Sequence, residues 1–273
     1  MAELVAGFCL PHDPLMASVP KINEQAKADR VYEALEEVNR RIKAMNVDTV
    51  IVIGDDHYCN FGPHCLPQYL IAIGVADGPR EPWLGVDRYP VEIDTALATH
   101  IMNFGFDNGF DWAVAKNITL EHGTMIPIHF AVKPHESAIK SIPIYTAAGV
   151  EPLLRPRHAY EVGQMIGEAV AAYEGAQRVA VFGTGGISHW VGTAEMGRVN
   201  EEFDRMVVDK MAVGDVESLI AMSDEYLIDT AGKGSLEIRN WSMAMGAAGA
   251  RGAELNCYEP VAEWICGMGV AEL

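Results

Sequence analysis

Short apolar runs alternate with longer amphipathic stretches along most of the chain. Residues 4–10 form an apolar run, and the stretch that follows it ends near Met45. Within that stretch, apolar residues recur on one helical face that should pack on a sheet: Val31, Leu35, Val38 and Ile42. Residues 49–54 are then apolar and mostly β-branched, as in a buried strand. The pattern predicts a strand, a helix and a second strand.

The same alternation continues over the rest of the chain. Further strands are predicted over residues 69–75, 112–115, 142–145, 179–182 and 253–258. Further helices are predicted over residues 95–103, 159–173, 195–211 and 236–248. No repeat or linker-like segment interrupts this order. We therefore expect a single α/β domain over residues 1–273, in which helices flank a largely parallel or mixed central sheet.

The chain is strongly acidic, with 20 Lys and Arg residues against 38 Asp and Glu residues and a formal net charge of −18. A surface of this sign repels phosphates and anionic lipids, so we expect neither a nucleic acid nor a membrane as partner. The apolar runs fall short of the ~20 residues that a bilayer-spanning helix needs. The N-terminus lacks the features of a secretory signal. Five cysteines form no CxxC pair, which favours reduced thiols and a cytoplasmic location.

Four of the nine histidines follow predicted strands. They are His12, His57, His122 and His189. In open α/β sheets, ligands bind beyond the carboxyl ends of the strands, so these four side chains could meet in one crevice. A single histidine in a loop is more often a surface or internally bonded side chain than a ligand, but four in such positions indicate a site. The other five histidines lack this placement, and we interpret them as structural.

Two imidazoles and one carboxylate on one face of a metal form the ligand set of non-haem Fe(II) oxygenases. Such a set leaves coordination positions open for a substrate and dioxygen. Among the acidic residues, Glu237 fits best by context, because it begins an otherwise apolar predicted helix. The helix dipole alone would also favour an acidic residue there, so the residues by themselves allow either a metal ligand or a structural role for Glu237.

Taken together and in this order, five elements of the sequence resemble the LigB-type class III extradiol ring-cleavage dioxygenases, the family of the protocatechuate 4,5-dioxygenase β subunit. The resemblance runs from the N-terminus to about Gly249. The elements are His12 with Pro14, then Asp56-His57, His122-Gly123 with Pro127, Gly183-Thr184-Gly185-Gly186 with Ser188-His189, and Glu237 with Trp241. The glycine-rich element is the most specific. It lacks the lysine of a P-loop and the spacing of a dinucleotide fingerprint, so phosphate binding is disfavoured.

The resemblance implies a role for each residue. His12, His57 and Glu237 would ligate Fe(II). His189 would be the general base and later an acid, and His122 would hydrogen-bond the substrate or the oxygen species. The implied reaction inserts both atoms of O2 into a dihydroxylated aromatic or heteroaromatic ring, beside the diol, and gives a ring-opened semialdehyde acid.

The substrate and the assembly are less defined. The ring could be protocatechuate-like, gallate-like, an aminophenol or a dihydroxypyridine. A net charge of −18 opposes an anionic substrate unless a local Arg or Lys compensates, and we interpret Arg239 as structural. Some family members use a small helical partner subunit as a lid. We expect either such a lid or a homo-oligomer that uses a C-terminal apolar surface, made of Val261, Trp264, Ile265 and Met268.

Two other readings use the same residues. Zinc in place of iron would give a hydrolase with an activated water. A noncatalytic binding protein could reuse the scaffold, although the presence of all the residues of the implied ligand set and base counts against it.

Overall fold

The described residues, 1–249 and 252–273, form one nine-stranded sheet with helices on both faces in the computed structural model. The strands are β1 (Glu3–Leu10), β2 (Thr49–Asp55), β3 (Tyr69–Gly78), β4 (Tyr89–Val91), β5 (Ala113–Thr119), β6 (Lys140–Thr146), β7 (Arg178–Thr184), β8 (Glu254–Val261) and β9 (Cys266–Glu272). Their order is β4-β3-β6-β2-β7-β1-β9-β8, and β5 pairs with β3. Four central strands, β6, β2, β7 and β1, are parallel, and antiparallel strands flank them. The mixed α/β architecture is confirmed.

The α-helices cover the two faces of this sheet. They are α1 (Leu15–Ser18), α2 (Gln25–Ala44), α3 (Thr95–Asp107), α4 (His122–Pro127), α5 (Pro156–Ala172), α6 (Glu201–Ala212), α7 (Val216–Ile220), α8 (Asp224–Ala231) and α9 (Ile238–Ala248). The apolar stripe of α2 packs on one face, and α3, α5 and α9 pack on the other. None of the helices in the described residues has the length and apolar character needed to cross a bilayer.

The parallel centre aligns three strand ends. Leu10 at the end of β1 pairs with Thr184 at the end of β7, and Ile53 near the end of β2 pairs with Gly183. The segments that leave β1, β2 and β7 therefore start side by side at one edge of the sheet. This alignment places the functional groups described below.

Several boundaries differ from the predicted ones, and two of the differences lie next to the site. The helix predicted over residues 195–211 begins only at Glu201, because the Asn200 side chain accepts the Phe203 N–H and caps it. The residues before it form turns, with Gly197 at a φ of +97°. The predicted helix over 236–248 is α9, preceded by a 3-10 turn over Lys233–Glu237.

The C-terminal segment contradicts the predicted apolar surface. After β8 the chain forms β9, which lies between β8 and β1 in the sheet. Val261, Trp264 and Met268 are fully buried in the core, and Ile265 is partly buried. Trp264 donates its indole N–H to the Val19 carbonyl, 2.9 Å away. The proposal that these residues form an oligomer interface is therefore wrong, since they already pack within their own chain.

Candidate active site

The structure brings the five predicted site residues together at the aligned strand ends. His12 and His57 each follow their strand by two residues, and Glu237 ends the 3-10 turn before α9. The Glu237 carboxylate lies between three imidazoles: its Oε2 is 3.3 Å from Nε2 of His12, and its Oε1 is 3.4 Å from Nε2 of both His57 and His189. The ring of His122 stacks on His57 with centroids 4.0 Å apart.

His122 reaches this group by a different route from the one expected. Its strand, β5, is parallel to β3, which is antiparallel to β6, so β5 runs against the central strands. The expectation that His122 leaves an equivalent strand end is wrong. Two hydrogen bonds between backbone and side chains hold the segment that carries His122 at the site instead. The Glu121 N–H donates to the Tyr145 hydroxyl, and the hydroxyl of Thr184 lies 2.8 Å from the Gly123 carbonyl.

The hydrogen-bond network assigns the tautomer of His12. The Thr184 hydroxyl lies 2.9 Å from the Ile53 carbonyl and 2.8 Å from the Gly123 carbonyl, and its one hydrogen goes to these acceptors. Toward Nδ1 of His12, 2.9 Å away, the Thr184 oxygen is therefore the acceptor. Nδ1 carries a proton, so Nε2, 3.3 Å from Oε2 of Glu237, is the nitrogen that could bind a metal. That Nε2 is buried and has no hydrogen-bond partner in the described residues.

A carboxylate fixes His57 in the same way. Nδ1 of His57 lies 3.0 Å from Oε2 of the fully buried Glu121 and donates to it. The other oxygen of Glu121 accepts the Gly123 N–H at 2.8 Å, which holds the carboxylate in place. Nε2 of His57 then faces the Glu237 carboxylate, 3.4 Å from its Oε1, and is the nitrogen that could bind a metal. Imidazoles that bind metals usually have such an acceptor on the opposite nitrogen.

Asp55 adds a second carboxylate that the sequence reasoning missed. It is the last residue of β2 and is fully buried. Its Oδ1 accepts from the Asn240 amide at 3.1 Å and lies 3.7 Å from Nε2 of His12. Its Oδ2 is 3.6 Å from Nε2 of His57 and has no hydrogen-bond partner in the described part of the chain. Its position at a strand end was the available signal.

Ionised neighbours together affect the pKa values of His12, His57 and Glu237 more than burial does. Burial lowers the pKa of His12 and of His57, but the carboxylates of Glu237, Asp55 and Glu121 outweigh burial and raise both pKa values. Burial raises the pKa of Glu237, yet His12 and His189 hold it well below its usual value. Glu237 therefore remains an anion. The cluster concentrates anionic oxygens and imidazole nitrogens in a buried space, where a divalent cation would be stabilised.

The glycine-rich turn holds both Glu237 and the loop that carries His189. The Gly186 N–H donates to Oε2 of Glu237 at 2.8 Å. Gly185 has a φ of +153°, and a Cβ on it would lie 2.6 Å from Cβ of Glu237. Only glycine allows this approach. Farther along the loop, Oδ1 of Asp204 accepts the Ser188 N–H at 2.9 Å.

Another missed carboxylate, Glu81, holds His122. Its Oε1 accepts from Nδ1 of His122 at 2.7 Å and from the His122 backbone N–H at 3.1 Å. Burial alone would raise the pKa of Glu81, but its bonds to His122 lower that pKa below the usual value. Since Nδ1 donates to Glu81, Nε2 of His122 is left for other partners. Nothing near Glu81 in the sequence marks it, because it lies in a loop remote from His122.

The residues form two regions around a cavity of about 260 Å³. We call His12, Asp55, His57 and Glu237 the inner cluster. We call the other side chains that line this cavity the outer wall, made of Tyr58, Val150, Val191 and Lys233. Tyr58 is 54% exposed and has a φ of +57°, an uncommon conformation for a side chain of its size. The outer wall is thus partly apolar, with one cation.

The inner cluster fits a metal ion. Its four residues each offer one nitrogen or oxygen, and these atoms lie within 4.8 Å of one another. Two neutral imidazoles with carboxylates suit a divalent first-row metal. A neighbouring group made of Cys59, Glu81, Glu121 and His122 is equally close, but hydrogen bonds within the group and to His57 already engage both of its carboxylates, with Oε2 of Glu81 the one oxygen left without a partner in the described residues.

Comparisons with known proteins agree with this geometry. Residues 6–269 match the family described as the catalytic LigB subunit of aromatic ring-opening dioxygenase. A 2,3-dihydroxyphenylpropionate/2,3-dihydroxicinnamic acid 1,2-dioxygenase of a Rhodococcus species is 25% identical and covers 97% of both chains. Enzymes with the same name from Klebsiella pneumoniae subsp. pneumoniae and Escherichia coli are 25% and 24% identical, and each alignment covers 96% of both chains.

A solved structure supports the fold alone. An uncharacterized protein of Escherichia coli K12 superposes with a TM-score of 0.60 at 13% identity, over 98% of this chain and 99% of the other. The family match, by contrast, covers nearly the whole chain and contains every residue of the inner cluster. The chain belongs to the LigB family, and it is an aromatic ring-opening dioxygenase.

Proposed function

We propose that this chain is an Fe(II)-dependent extradiol dioxygenase that cleaves a dihydroxylated aromatic ring beside its hydroxyl groups. The observation that carries the proposal is the proximity of three donors. Nε2 of His12 and Nε2 of His57 lie 3.3 Å and 3.4 Å from the Glu237 carboxylate, and separate hydrogen bonds to Thr184 and Glu121 engage the opposite nitrogen of each ring. Two imidazoles and a carboxylate on one face are the ligand set of non-haem Fe(II) oxygenases.

In this proposal His12, His57 and Glu237 hold the metal. A ferrous ion held by these residues would supply open coordination positions for the diol oxygens and for dioxygen, and redox chemistry between them. Asp55 contributes negative charge beside the metal ligands and orients them through its buried carboxylate. The Asn240 amide, which donates to Asp55 and to the Thr184 carbonyl, ties the carboxylate to the end of β7.

His189 and His122 act on the substrate from two sides. Nε2 of His189 lies 3.4 Å from Glu237 Oε1, so a hydroxyl bound near that carboxylate is within reach of the imidazole. His189 takes the proton from this hydroxyl as a general base and returns one later as an acid. His122 presents Nε2, because Glu81 accepts from its Nδ1, and hydrogen-bonds the substrate. The product is a ring-opened semialdehyde acid that carries both oxygen atoms.

We further propose that residues 1–273 are a single catalytic domain whose substrates are a small aromatic diol and O2. The relatives are named for catechols with a three-carbon acid side chain, so such a diol heads the panel to be tested. A cytoplasmic location and a homo-oligomer, with or without a small lid subunit, stay predictions. Any oligomer must use a surface other than the C-terminal residues, which are buried.

Anaerobic reconstitution followed by oxygen consumption tests the function. The protein is loaded with Fe(II) or with Zn(II), and each form is mixed with a panel of catechols, gallate-like triols, aminophenols and dihydroxypyridines. We expect oxygen uptake with at least one diol, one O2 consumed per ring opened, and only in the iron form. Mass spectrometry with ¹⁸O2 should show two labelled atoms in the product. Hydrolysis by the zinc form without oxygen uptake by the iron form would replace the proposal with the zinc hydrolase reading.

A further inference from the structure

Lys233 is the one cationic side chain among the described residues that line the cavity. Asp55, His57 and Glu237 of the inner cluster line the same cavity, as do the apolar side chains Val150 and Val191 of the outer wall. A ligand that fills the cavity would therefore meet two carboxylates and an imidazole, apolar side chains and one ammonium group. This is the profile of a ring with a side chain that ends in an anion.

The backbone on both sides of Lys233 is held against the catalytic loop. The His189 N–H donates to the Ala231 carbonyl at 2.9 Å, and the Gly234 N–H donates to the His189 carbonyl at 3.1 Å. A Cβ on Gly234 would lie 2.0 Å from Nε2 of His189, so the turn packs directly on that ring. The Cα of Lys233 is thus fixed at the cavity rather than free on the surface.

The spacing along the turn sets the distance between Lys233 and Glu237. Lys233 and Glu237 are the first and last residues of one 3-10 turn. At roughly 2 Å per residue, they are about 8 Å apart along its axis. A catechol chelated near Glu237 would span most of that distance, and a short side chain would cover the rest.

The two nearby cationic side chains, Arg239 and Lys233, differ in whether a carboxylate already pairs with them. Arg239 is buried, donates to the Ala148 carbonyl at 2.9 Å and pairs with Asp224, so it is already neutralised. Lys233 is exposed, and no carboxylate lies within 4 Å of its ammonium in the described part of the chain. In a protein with a net charge of −18, a cation left unpaired at the mouth of the site compensates locally for the repulsion of an anionic ligand.

We propose that Lys233 binds the anionic end of the substrate side chain and so sets the preference for dihydroxylated rings that carry an acid group. This inference rests on the proposed function for the ring-binding end of the cavity. It assigns a specificity-determining residue, because Lys233 lies away from the diol and takes no part in the ring chemistry.

The test compares Lys233→Met with Lys233→Arg and with Lys116→Met. Lys116 lies exposed on the β5 strand, outside the cavity lining, and gives the same loss of charge. Each variant is assayed with a catechol that bears a propionate side chain and with its neutral methyl ester. We expect Lys233→Met to raise KM for the acid about tenfold, as for the loss of one charge-assisted hydrogen bond, with kcat within about twofold. KM for the ester should not change, and Lys233→Arg should retain the preference.

A measurement without turnover separates this inference from the proposed function. Calorimetric binding of 3-phenylpropionate, which has no diol, is compared between the iron-loaded wild type and Lys233→Met. Weaker binding to the variant by about tenfold supports the assignment even if no diol in the panel is cleaved. Equal binding, or an unchanged ratio of KM for acid and ester, would overturn the role of Lys233 and leave the dioxygenase proposal intact. An equal loss of affinity in Lys116→Met would show that the effect comes from the overall charge of the protein and not from the position of Lys233.

Discussion

The inner cluster and the outer wall differ in how the fold holds them. Every side chain of the inner cluster has at least one hydrogen bond to another part of the chain, and His12, Asp55 and Glu237 are almost fully buried. On the outer wall, Tyr58 and Val191 are 54% and 53% exposed, and Lys233 is exposed without an ion pair in the described residues. The inner cluster is held by hydrogen bonds within the chain, whereas three of the four side chains of the outer wall are exposed and Val150 alone is buried.

This difference suits the inner cluster to the chemistry of the reaction and the outer wall to the choice of substrate. A metal site needs fixed donor geometry, which buried hydrogen bonds supply. A specificity surface can vary without loss of the fold, because exposed side chains on loops contribute little to stability. We therefore expect substitutions in the inner cluster to change metal content and turnover, and substitutions in the outer wall to change KM alone.

The largest expected difference is in iron content, between variants of His57 in the inner cluster and of the adjacent Tyr58 on the outer wall. His57→Ala should abolish stoichiometric iron binding, because it removes one of two nitrogen donors and leaves the Glu121 carboxylate buried without this partner. Tyr58→Ala, one residue away, should keep one iron per chain. Metal analysis after anaerobic reconstitution measures both, with circular dichroism to confirm folding. Iron retained in His57→Ala would show that the inner cluster is not the metal site.

His189→Ala should leave the iron in place and lower kcat by roughly 10²- to 10⁴-fold, the range for loss of a general acid or base. Nε2 of His189 lies 3.4 Å from Oε1 of Glu237, but in the proposed function this imidazole acts on the substrate hydroxyl and does not bind the metal. Metal content and single-turnover rates are measured together. Loss of iron in this variant would make His189 a ligand and move it into the inner cluster.

The inner cluster was largely predictable because its histidines follow strands with strong signals. The β-branched run over residues 49–54 could only be a buried strand, and His57 therefore had to lie at its end. The strand β9 gave no such signal, since Cys266–Glu272 contains two glycines and one β-branched residue. It takes its place through pairing with β1 and β8, which local sequence does not encode.

The carboxylates that orient the histidines could not be predicted. Glu81 and Glu121 are two of 38 acidic residues, and their roles depend on how the chain returns from β5 to the end of β6. The outer wall was missed for a similar reason. Lys233 has an ordinary sequence context, and only the hydrogen bonds of its neighbours to His189 place it at the cavity.

Thr184→Val tests the hydrogen bond that assigns the tautomer of His12. The valine keeps the shape but removes the oxygen that accepts from Nδ1, so the imidazole can hold its proton on either nitrogen. We expect affinity for Fe(II) or Co(II) to fall about 10- to 100-fold, and Thr184→Ser to restore it. Titration calorimetry measures the affinity, and thermal unfolding controls for the two carbonyls that lose their donor. Equal affinities in Val and Ser variants would remove Thr184 from the metal site.

The smallest effect is expected on the outer wall, where Val191→Ala removes apolar contact area. Val191 is 53% exposed, so a bound side chain would cover only part of it, and the loss corresponds to about 0.7 kcal/mol or a threefold rise in KM. Iron content and kcat should not change, because Val191 lies outside the inner cluster. Val213→Ala, at a valine that is 77% exposed and outside the cavity lining, is the matched control. A fall in kcat with unchanged KM would contradict the separation of the two regions, since an apolar contact on the outer wall would then act on the chemistry.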